Sequence, residues 1–397
     1  MQNNISVYPV NISGHDDMKR LCAKIGTDPG ALPYLTPKAN ILHIYAGHID
    51  YRAAGFLKQE MLARGGDVAV AKHVIDGKTD YSDILIMGNP SQLRSLTEKM
   101  KAMNIWGIKE LREELCEALR NVNIHKWEMT SPAGHKIILD AHTKLMGIIN
   151  LTPDSFYPDS RTDEAGIIEC AGRFLNEGAY ILDVGAESTR PGASPVSASE
   201  EAGRLIPALR ALRREFPDAL ISVDTYKAEI ARLACDEGAD IINDISGFGF
   251  DSDMAGIVAG LNVPYVLSHI KGTPKDMADS EPYSDILGEM NAYFSGKIHE
   301  LERAGLKREN IIIDPGLGFG KNSGDNFAVL RDIESLTVFG RPLMIGHSRK
   351  RFTGKTLAGT LGVTALMAGR VSLMRVHDVG ENMRALRVAE GVKSSAL

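Results

Sequence analysis

The sequence has few cysteines, no excess of positive charge and no long hydrophobic run. Four of its 397 residues are cysteine, and they stand too far apart to form a zinc motif or a CxxC pair. We therefore expect unpaired thiols without a special chemical role. The net charge of −6 disfavours a nucleic-acid partner, because such proteins usually carry a concentrated basic surface.

Signals for membranes and secretion are also lacking. No run of about 18 apolar residues could cross a bilayer, and the first residues do not combine basic and apolar segments as a secretion signal does. We expect a soluble cytoplasmic protein with no membrane partner. Its length allows two domains, or one large α/β domain with an appendage.

From about residue 140, a short apolar run followed by an amphipathic stretch recurs eight times. Runs that are apolar throughout are typical of parallel strands buried on both faces. Eight such units over about 250 residues predict a (β/α)8 barrel, the TIM barrel. The eight runs cover residues 144–150, 180–188, 219–225, 240–247, 264–269, 310–316, 342–348 and 371–378.

Polar side chains gather at the ends of these runs. In such a barrel the active site lies at the carboxyl ends of the strands, so these residues are candidates for one shared site. At any single position an Asn or Asp could instead cap a helix, but capping is a weaker explanation for all eight ends together. The residues are Asn150, Asp183, Glu187, Asp224, Asn243, His269, Asp314, Ser348, Arg375 and His377.

Residues 1–125 have a different pattern, which predicts a small separate α/β domain of unknown role before a barrel domain at 126–397. The predicted strands are 40–47, 66–74 and 83–88, and the predicted helices are 53–66, 91–103 and 108–121. Residues 125–144 predict a β-hairpin that either leads into the barrel or plugs its lower end.

Two loops at strand ends have unusual compositions. AESTRPGASP (186–195) is long and polar; it is either a surface loop with a solvated Arg190 or a lid whose Thr189 and Arg190 reach an anionic group.

DPGLGFGKN (314–322) has three alternating glycines but is neither a P-loop nor GxGxxG. We interpret these glycines as positions of close backbone approach to a ligand, with Phe319 free to stack on it.

Positive charge is concentrated after the last two predicted strands. GHSRKRFTG (346–354) contains Lys350 between two arginines, and Arg375 and His377 are two residues apart, so both project to one side of a strand. The first run could be a solvated face, but barrels often bind phosphate near strands 7 and 8. We therefore predict a phosphorylated substrate.

The middle strand ends offer acceptors instead. Asp224, Asn243 and Asp314 supply carboxylates and an amide. A flat heterocycle with a guanidine-like edge would donate two parallel N–H bonds to such a carboxylate, in the geometry that suits arginine. Lys350 could contact acceptors of the ring. The predicted ligand is thus a ring of this kind, with an anionic tail held by Arg375 and His377.

Eight motifs, in order and one at each strand end over about residues 140–397, resemble the signatures of the dihydropteroate synthase family. They are MGIINLTPDSF, DVGAESTRPGA, SVDTYK, NDISG, HIKGTPKDM, DPGLGFGK, GHSRKRFTG and RVHDV. The resemblance implies a transferase that joins 6-hydroxymethyl-7,8-dihydropterin diphosphate to 4-aminobenzoate and releases pyrophosphate in folate biosynthesis. It also implies a sulfonamide target and a homodimer formed through the last helices.

The resemblance assigns roles to single residues as well. It implies a pterin site with His269 and Ser348 beside it, a diphosphate site, an aminobenzoate site and a Mg²⁺ site. The pterin residues would be Asp224, Asn243, Asp314 and Lys350; the diphosphate residues Asn150, Arg375 and His377; the aminobenzoate residues Thr189, Arg190, Pro191 and Phe319; and the Mg²⁺ ligands Asn150 with Asp154 or Asp159. The catalytic set would be Asn150, Asp224, Lys350, Arg375 and His377.

Other interpretations remain open at this stage. A folate-dependent methyltransferase uses a similar barrel but would not need the STRPG loop or the SRK run, and both are present here. A pterin-binding barrel without catalytic activity is the third possibility. The first loop departs from the family pattern, because Pro158 stands where an aspartate is usual; whether Asp159 replaces it is open.

Overall fold

The computed structural model describes residues 7–10, 12, 14–151, 160–187, 195–273, 277 and 282–394. Within these ranges the chain forms two compact units, which divide between Arg120 and Asn121. No helix among the described residues is long and apolar enough to cross a membrane.

The N-terminal unit is a three-stranded antiparallel sheet in the order β1-β3-β2 with helices packed on it. Its elements are α1 (His15–Ile25), α2 (Leu32–Leu35), β1 (Leu42–Asp50), α3 (Tyr51–Ala63), β2 (Asp67–Ala69), β3 (Tyr81–Gly88), α4 (Pro90–Met100) and α5 (Ile108–Asn121). On β3, Ile84 and Ile86 are buried against the helices, whereas Asp83 before them is exposed and Leu85 between them is half-buried, the alternation of a half-buried strand. The predicted second strand was too long, because only Asp67–Ala69 pair with β3.

The second unit begins with a hairpin of β4 (Trp127–Thr130) and β5 (Lys136–Leu139) and continues as eight βα units. The strands are β6 (Lys144–Asn150), β7 (Ile181–Gly185), β8 (Leu220–Asp224), β9 (Ile241–Asp244), β10 (Tyr265–Ser268), β11 (Ile311–Asp314), β12 (Met344–Ile345) and β13 (Leu373–Val376). All pair in parallel in the order β11-β10-β9-β8-β7-β6-β13-β12, and a parallel bridge between Ile313 and Leu343 closes the ring. The predicted TIM barrel is confirmed.

Helices surround this barrel because the outward face of each strand is apolar and buried against them. They are α6 (Ser160–Glu177), α7 (Ala198–Glu215), α8 (Ala228–Asp236), α9 (Met254–Leu261), α10 (Ile286–Ala304), α11 (Ser323–Arg331), α12 (Leu357–Met367) and α13 (Val379–Ser394).

The lower end of the barrel interior is filled by one apolar side chain from each strand. These are Met146, Ile181, Leu220, Ile241, Val266, Ile312, Met344 and Leu373, and they form one cluster with Met129, Ile137 and Leu139 of the hairpin. The hairpin therefore plugs this end, which is one of its two predicted positions. Because this apolar cluster closes the floor, polar interior side chains can face solvent only at the carboxyl ends of the strands.

Candidate active site

The interior layer above this floor is polar. Side chains two residues apart on a strand face the same side, so the residues that follow the floor by two positions also point inward. Two of these eight are Ile148 and Gly346, and the six polar ones are Asp183, Ser222, Asn243, Ser268, Asp314 and Arg375. Six polar side chains in one layer of a barrel need partners or a ligand, because burial of an unpaired polar group is costly.

Arg375 is the cation of this layer. Its Nε donates to Asp183 at 2.6 Å and its Nη2 to Asp224 at 2.5 Å. Burial opposes its charged form, yet the two carboxylates raise the pKa of Arg375 above its usual range. Among the described residues Nη1 has no acceptor, so one edge of the guanidinium can still receive an anion.

The carboxyl group of Asp224 has a pKa close to neutral pH. Burial raises the pKa of its carboxyl to about 7, with Arg375 opposing the shift and Asp183 adding to it. Asp183 itself is fully buried. The sequence assigned Asp183 no role, although its position two residues after Ile181 already placed it in the layer of Asp314.

Asn243 and Asp314 complete the set of acceptors. The amide nitrogen of Asn243 is 3.4 Å from both carboxylate oxygens of Asp183, whereas its oxygen is buried without a partner among the described residues. Asp314 accepts the Gly316 N–H at 2.8 Å, and burial raises the pKa of Asp314. A buried acceptor left unpaired in this way favours a ligand that donates N–H bonds.

Lys350 lies above Asp314 and against Phe319. Its Nζ is 3.9 Å from the centroid of the Phe319 ring, and burial lowers the pKa of Lys350 to about 8, with Arg375 acting in the same direction. The expectation that Phe319 is free to stack on a ligand is wrong in this respect, since Phe319 is only 9% exposed and one of its faces carries Lys350.

Two of the alternating glycines have a structural reason of their own. A Cβ on Gly316 would lie 2.0 Å from the His269 carbonyl oxygen, and one on Gly320 would lie 2.3 Å from that of Lys271. Both residues have positive φ, +64° and +63°, which favours glycine. Gly316 and Gly320 are therefore needed because two protein loops approach each other, whereas a Cβ on Gly318 would lie 3.2 Å from the Lys350 side chain.

His269 and Lys321 join these two loops. Lys321 Nζ lies 2.8 Å from His269 Nδ1, and both side chains are buried. Sequence reasoning missed Lys321, because it interpreted the 314–322 motif through its glycines and Phe319 alone. A lysine that directly follows a glycine-rich strand end was the available signal.

The mouth of the barrel holds Asn150, Ser348 and His377. Ser348 Oγ is 3.0 Å from His377 Nδ1, and Asn150 and His377 line one cavity of about 350 Å³. Arg349 borders the same cavity and is held away by an ion pair with Asp378, with Nη2 to Oδ1 at 2.5 Å. Arg173 and the Asp378 carboxylate line it as well, so two guanidiniums outnumber one carboxylate beside the amide and the imidazole, a balance that suits an anion.

Five predicted site residues lie outside the described part of the chain: Asp154, Asp159, Thr189, Arg190 and Pro191. The described residues contain no group of three His, Cys, Asp or Glu side chains that could hold a metal ion. The remaining candidates converge on the barrel interior and its mouth.

Comparison with known proteins agrees with this arrangement. The model of the pterin-binding enzyme family matches residues 146–388. The dihydropteroate synthase of Synechocystis sp. is 40% identical over 262 residues, which cover 63% of this chain and 90% of that protein. The structure of Xanthomonas albilineans dihydropteroate synthase with 4-aminobenzoic acid covers 67% of this chain and 100% of its own, with 37% identity and a TM-score of 0.61.

A third similarity extends into the N-terminal unit. A probable bifunctional folylpolyglutamate synthase/dihydropteroate synthase of Halobacterium salinarum is 35% identical over 359 residues, 88% of this chain. The barrel unit alone is too short for that alignment, so part of the N-terminal unit is included. The alignment covers 42% of the haloarchaeal protein.

Proposed function

This chain belongs to the pterin-binding enzyme family, and on that premise we propose that it is a transferase that makes 7,8-dihydropteroate from 6-hydroxymethyl-7,8-dihydropterin diphosphate and 4-aminobenzoate. The observation that carries the proposal is the polar layer of the barrel. It combines buried acceptors, one of them unpaired, with a guanidinium that has one unused edge. A ring with a donor edge and an anionic tail matches both.

The pterin occupies the acceptor side in this proposal. Its amino–imino edge donates to Asp314 or Asp224, the Asn243 oxygen accepts a further N–H, and Lys350 donates to ring acceptors. Carboxylates also favour positive charge on the ring as the diphosphate leaves. In this proposal His269 and Ser348 are neighbours of this set, because His269 Nδ1 is engaged with Lys321 and the Ser348 hydroxyl with His377.

The diphosphate occupies the mouth. The C–O bond to the pterin methylene breaks, and the diphosphate keeps the electron pair. Arg375 Nη1 and His377 donate to the oxygens on which negative charge develops, which lowers the barrier without a protein nucleophile. The aminobenzoate nitrogen then bonds to the methylene carbon and releases a proton. We assign Thr189, Arg190, Pro191 and Phe319 to the aminobenzoate because of the family resemblance.

We also propose that Mg²⁺ binds at the mouth of the barrel. The Asn150 side chain offers an oxygen donor in the anion-suited cavity, and Mg²⁺ commonly takes one or two protein oxygens together with water and substrate phosphates. Asn150, with Asp154 or Asp159, would hold the ion. When bound, it neutralises charge on the leaving diphosphate.

The direct test is release of pyrophosphate. With both substrates and Mg²⁺, the protein should release one pyrophosphate per dihydropteroate, and omission of aminobenzoate should stop steady turnover. Asp314→Asn should weaken pterin binding most among single changes at the acceptors, as measured by calorimetry. Binding of methyl-tetrahydrofolate without any pyrophosphate release would instead favour the methyltransferase interpretation.

We also propose a homodimer and a cytoplasmic location. The last two helices carry exposed apolar side chains, among them Leu366 and Val388, which are 68% and 69% exposed. Such a surface is typical of a subunit interface. All four cysteines are free thiols, which suits a reducing compartment.

A further inference from the structure

Lys321 is a buried lysine that the proposed reaction does not use. Its Nζ is surrounded by four acceptors: His269 Nδ1 at 2.8 Å, and the carbonyl oxygens of Gly316 at 3.1 Å, His269 at 3.2 Å and Phe319 at 3.2 Å. The first loop, after β10, supplies two of them, and the loop after β11 supplies the others. One ammonium therefore connects both loops.

The chemistry of these partners fixes the direction of each hydrogen bond. An ammonium has three N–H donors and no acceptor, and carbonyl oxygens only accept. His269 Nδ1 must then present its lone pair, which makes His269 the neutral tautomer with hydrogen on Nε2. Burial lowers the pKa of His269 to about 3, and the charge of Lys321 acts in the same direction.

Burial also lowers the pKa of Lys321, to about 7. A neutral amine would have only two N–H donors for four acceptors, so the surrounding oxygens favour the ammonium. The ionisable groups that act on Lys321 are Asp314, Lys350 and Asp325, and the Tyr283 ring lies 6.0 Å from Nζ.

The connected loop carries the pterin side of the site. Gly316 donates its N–H to Asp314, and Phe319 supports the Lys350 ammonium. The carbonyl oxygens of these same two residues, Gly316 and Phe319, accept from Lys321. A shift of this loop would move Asp314 and Lys350 together.

We propose that Lys321 is a positioning residue, which holds His269 as the Nε2–H tautomer and ties the Gly316–Phe319 segment to it, so that Asp314 and Lys350 are aligned for the pterin. The proposal rests on the proposed function for the identity of the ligand. The tautomer and the contacts of Lys321 do not depend on it.

The first experiment uses the wild-type protein without ligand. Two-bond ¹H–¹⁵N correlation spectra distinguish the tautomers of the 11 histidines, and the His269 signals are assigned by their loss in His269→Gln. We expect a neutral His269 at pH 7 with hydrogen on Nε2. Hydrogen on Nδ1, or a charged ring at this pH, overturns the proposal whether or not the protein turns over substrate.

The second experiment uses Lys321→Met, which keeps the unbranched stem and removes the donors. We expect the His269 pKa to rise towards its ordinary value and the dissociation constant of a 6-substituted pterin to increase about tenfold, the scale of one hydrogen bond to a charged group. Lys321→Gln, which retains two N–H donors, should give a smaller loss, and it serves if the methionine variant does not fold.

Lys297→Met is the matched control, because Lys297 on α10 also places its ammonium over a ring, 3.8 Å from the Phe248 centroid, while its ion pair is with Glu300 of the same helix. Its pterin affinity should equal that of the wild type. Unchanged pterin affinity in both Lys321 variants would overturn the positioning role, and it would do so even if pyrophosphate release were absent in every protein tested.

Discussion

At the scale of single residues, Asp183 organises the polar layer. It accepts from Arg375 Nε and lies within 3.4 Å of the Asn243 amide, so it fixes both groups without reaching the mouth. Asp183→Asn would place a neutral amide, with its own N–H donors, against two existing donors. We expect kcat/KM for pterin diphosphate to fall on the order of 100-fold, as when a buried charged partner is lost.

Pyrophosphate release measures this effect, and Asp236→Asn provides the control. Asp236 is 57% exposed and pairs with Arg232 on the surface of α8, so its change should leave kcat/KM within about twofold, as is usual for surface ion pairs. A loss of less than threefold in Asp183→Asn would contradict the organising role.

The pKa values predict how pterin binding depends on pH. Asp224 can accept two parallel N–H bonds on its two oxygens only when ionised, so binding should weaken as pH falls below its pKa of about 7. Lys350 has three N–H donors and a positive charge only when protonated, so binding should also weaken as pH rises above its pKa of about 8, and loss of the Lys321 proton acts in the same direction. Calorimetry with a 6-substituted pterin should therefore give a bell-shaped profile.

Asp224→Asn tests the assignment of the acid limb. An amide does not titrate, so affinity in this variant should be lower overall and nearly constant from pH 5 to 7, whereas the alkaline limb should persist. If the acid limb survived in Asp224→Asn, another group would be responsible for it.

The sequence located most of this site because strand ends can be found from periodicity alone. Asp224, Asn243, Asp314 and Arg375 were all placed correctly at the carboxyl ends of the barrel strands. The neighbours of Gly316 and the partners of Asp183 could not be found in this way. Those contacts join residues on different strands, and no local pattern encodes a distance across the barrel.

At the scale of elements, a buried polar relay attaches the last helices to the barrel. His347 Nε2 lies 2.8 Å from Thr364 Oγ1 on α12, and that hydroxyl lies 2.6 Å from Asn382 Oδ1 on α13. All three residues are fully buried. Because His347 precedes Ser348 and Lys350, the relay also holds the loop that carries them.

Thr364→Val removes the hydroxyl and keeps the shape of the side chain. It leaves two buried polar groups without a partner, which should lower the free energy of unfolding by about 1–3 kcal/mol. Urea denaturation measures the change, and Thr130→Val, at an exposed position of the hairpin, should stay within about 0.5 kcal/mol of the wild type. Equal stability of the two variants would show that the relay is not stabilising.

The lengths of elements were predicted less well than their order. The second strand of the N-terminal unit was expected at 66–74, but β2 covers only Asp67–Ala69. A strand forms only where its backbone pairs with a neighbouring strand. Beyond Ala69 that pairing ends, and the backbone forms a short 3₁₀ segment at Lys72–Val74. Pairing is decided by tertiary contacts, which apolar composition does not report.

At the scale of the whole molecule, the proposed dimer depends on the exposed faces of α12 and α13. Leu366 and Val388 project from these helices, together with Val392 at 72% exposure. Burial of such side chains in a subunit interface is favourable at about 25 cal/mol per Å² of apolar surface, whereas a charge placed there would have to be desolvated on association. We therefore expect the wild-type protein to be a dimer and Val388→Asp to be a monomer.

Light scattering coupled to size exclusion determines both masses at the same protein concentration. Ile75→Asp is the matched control, because Ile75 is 94% exposed in the N-terminal unit and this variant also replaces an exposed β-branched apolar side chain with aspartate. It should remain dimeric. A monomeric wild type, or a Val388→Asp protein that keeps the dimer mass, would show that these helices do not form the interface; dissociation of Ile75→Asp would assign it to the N-terminal unit.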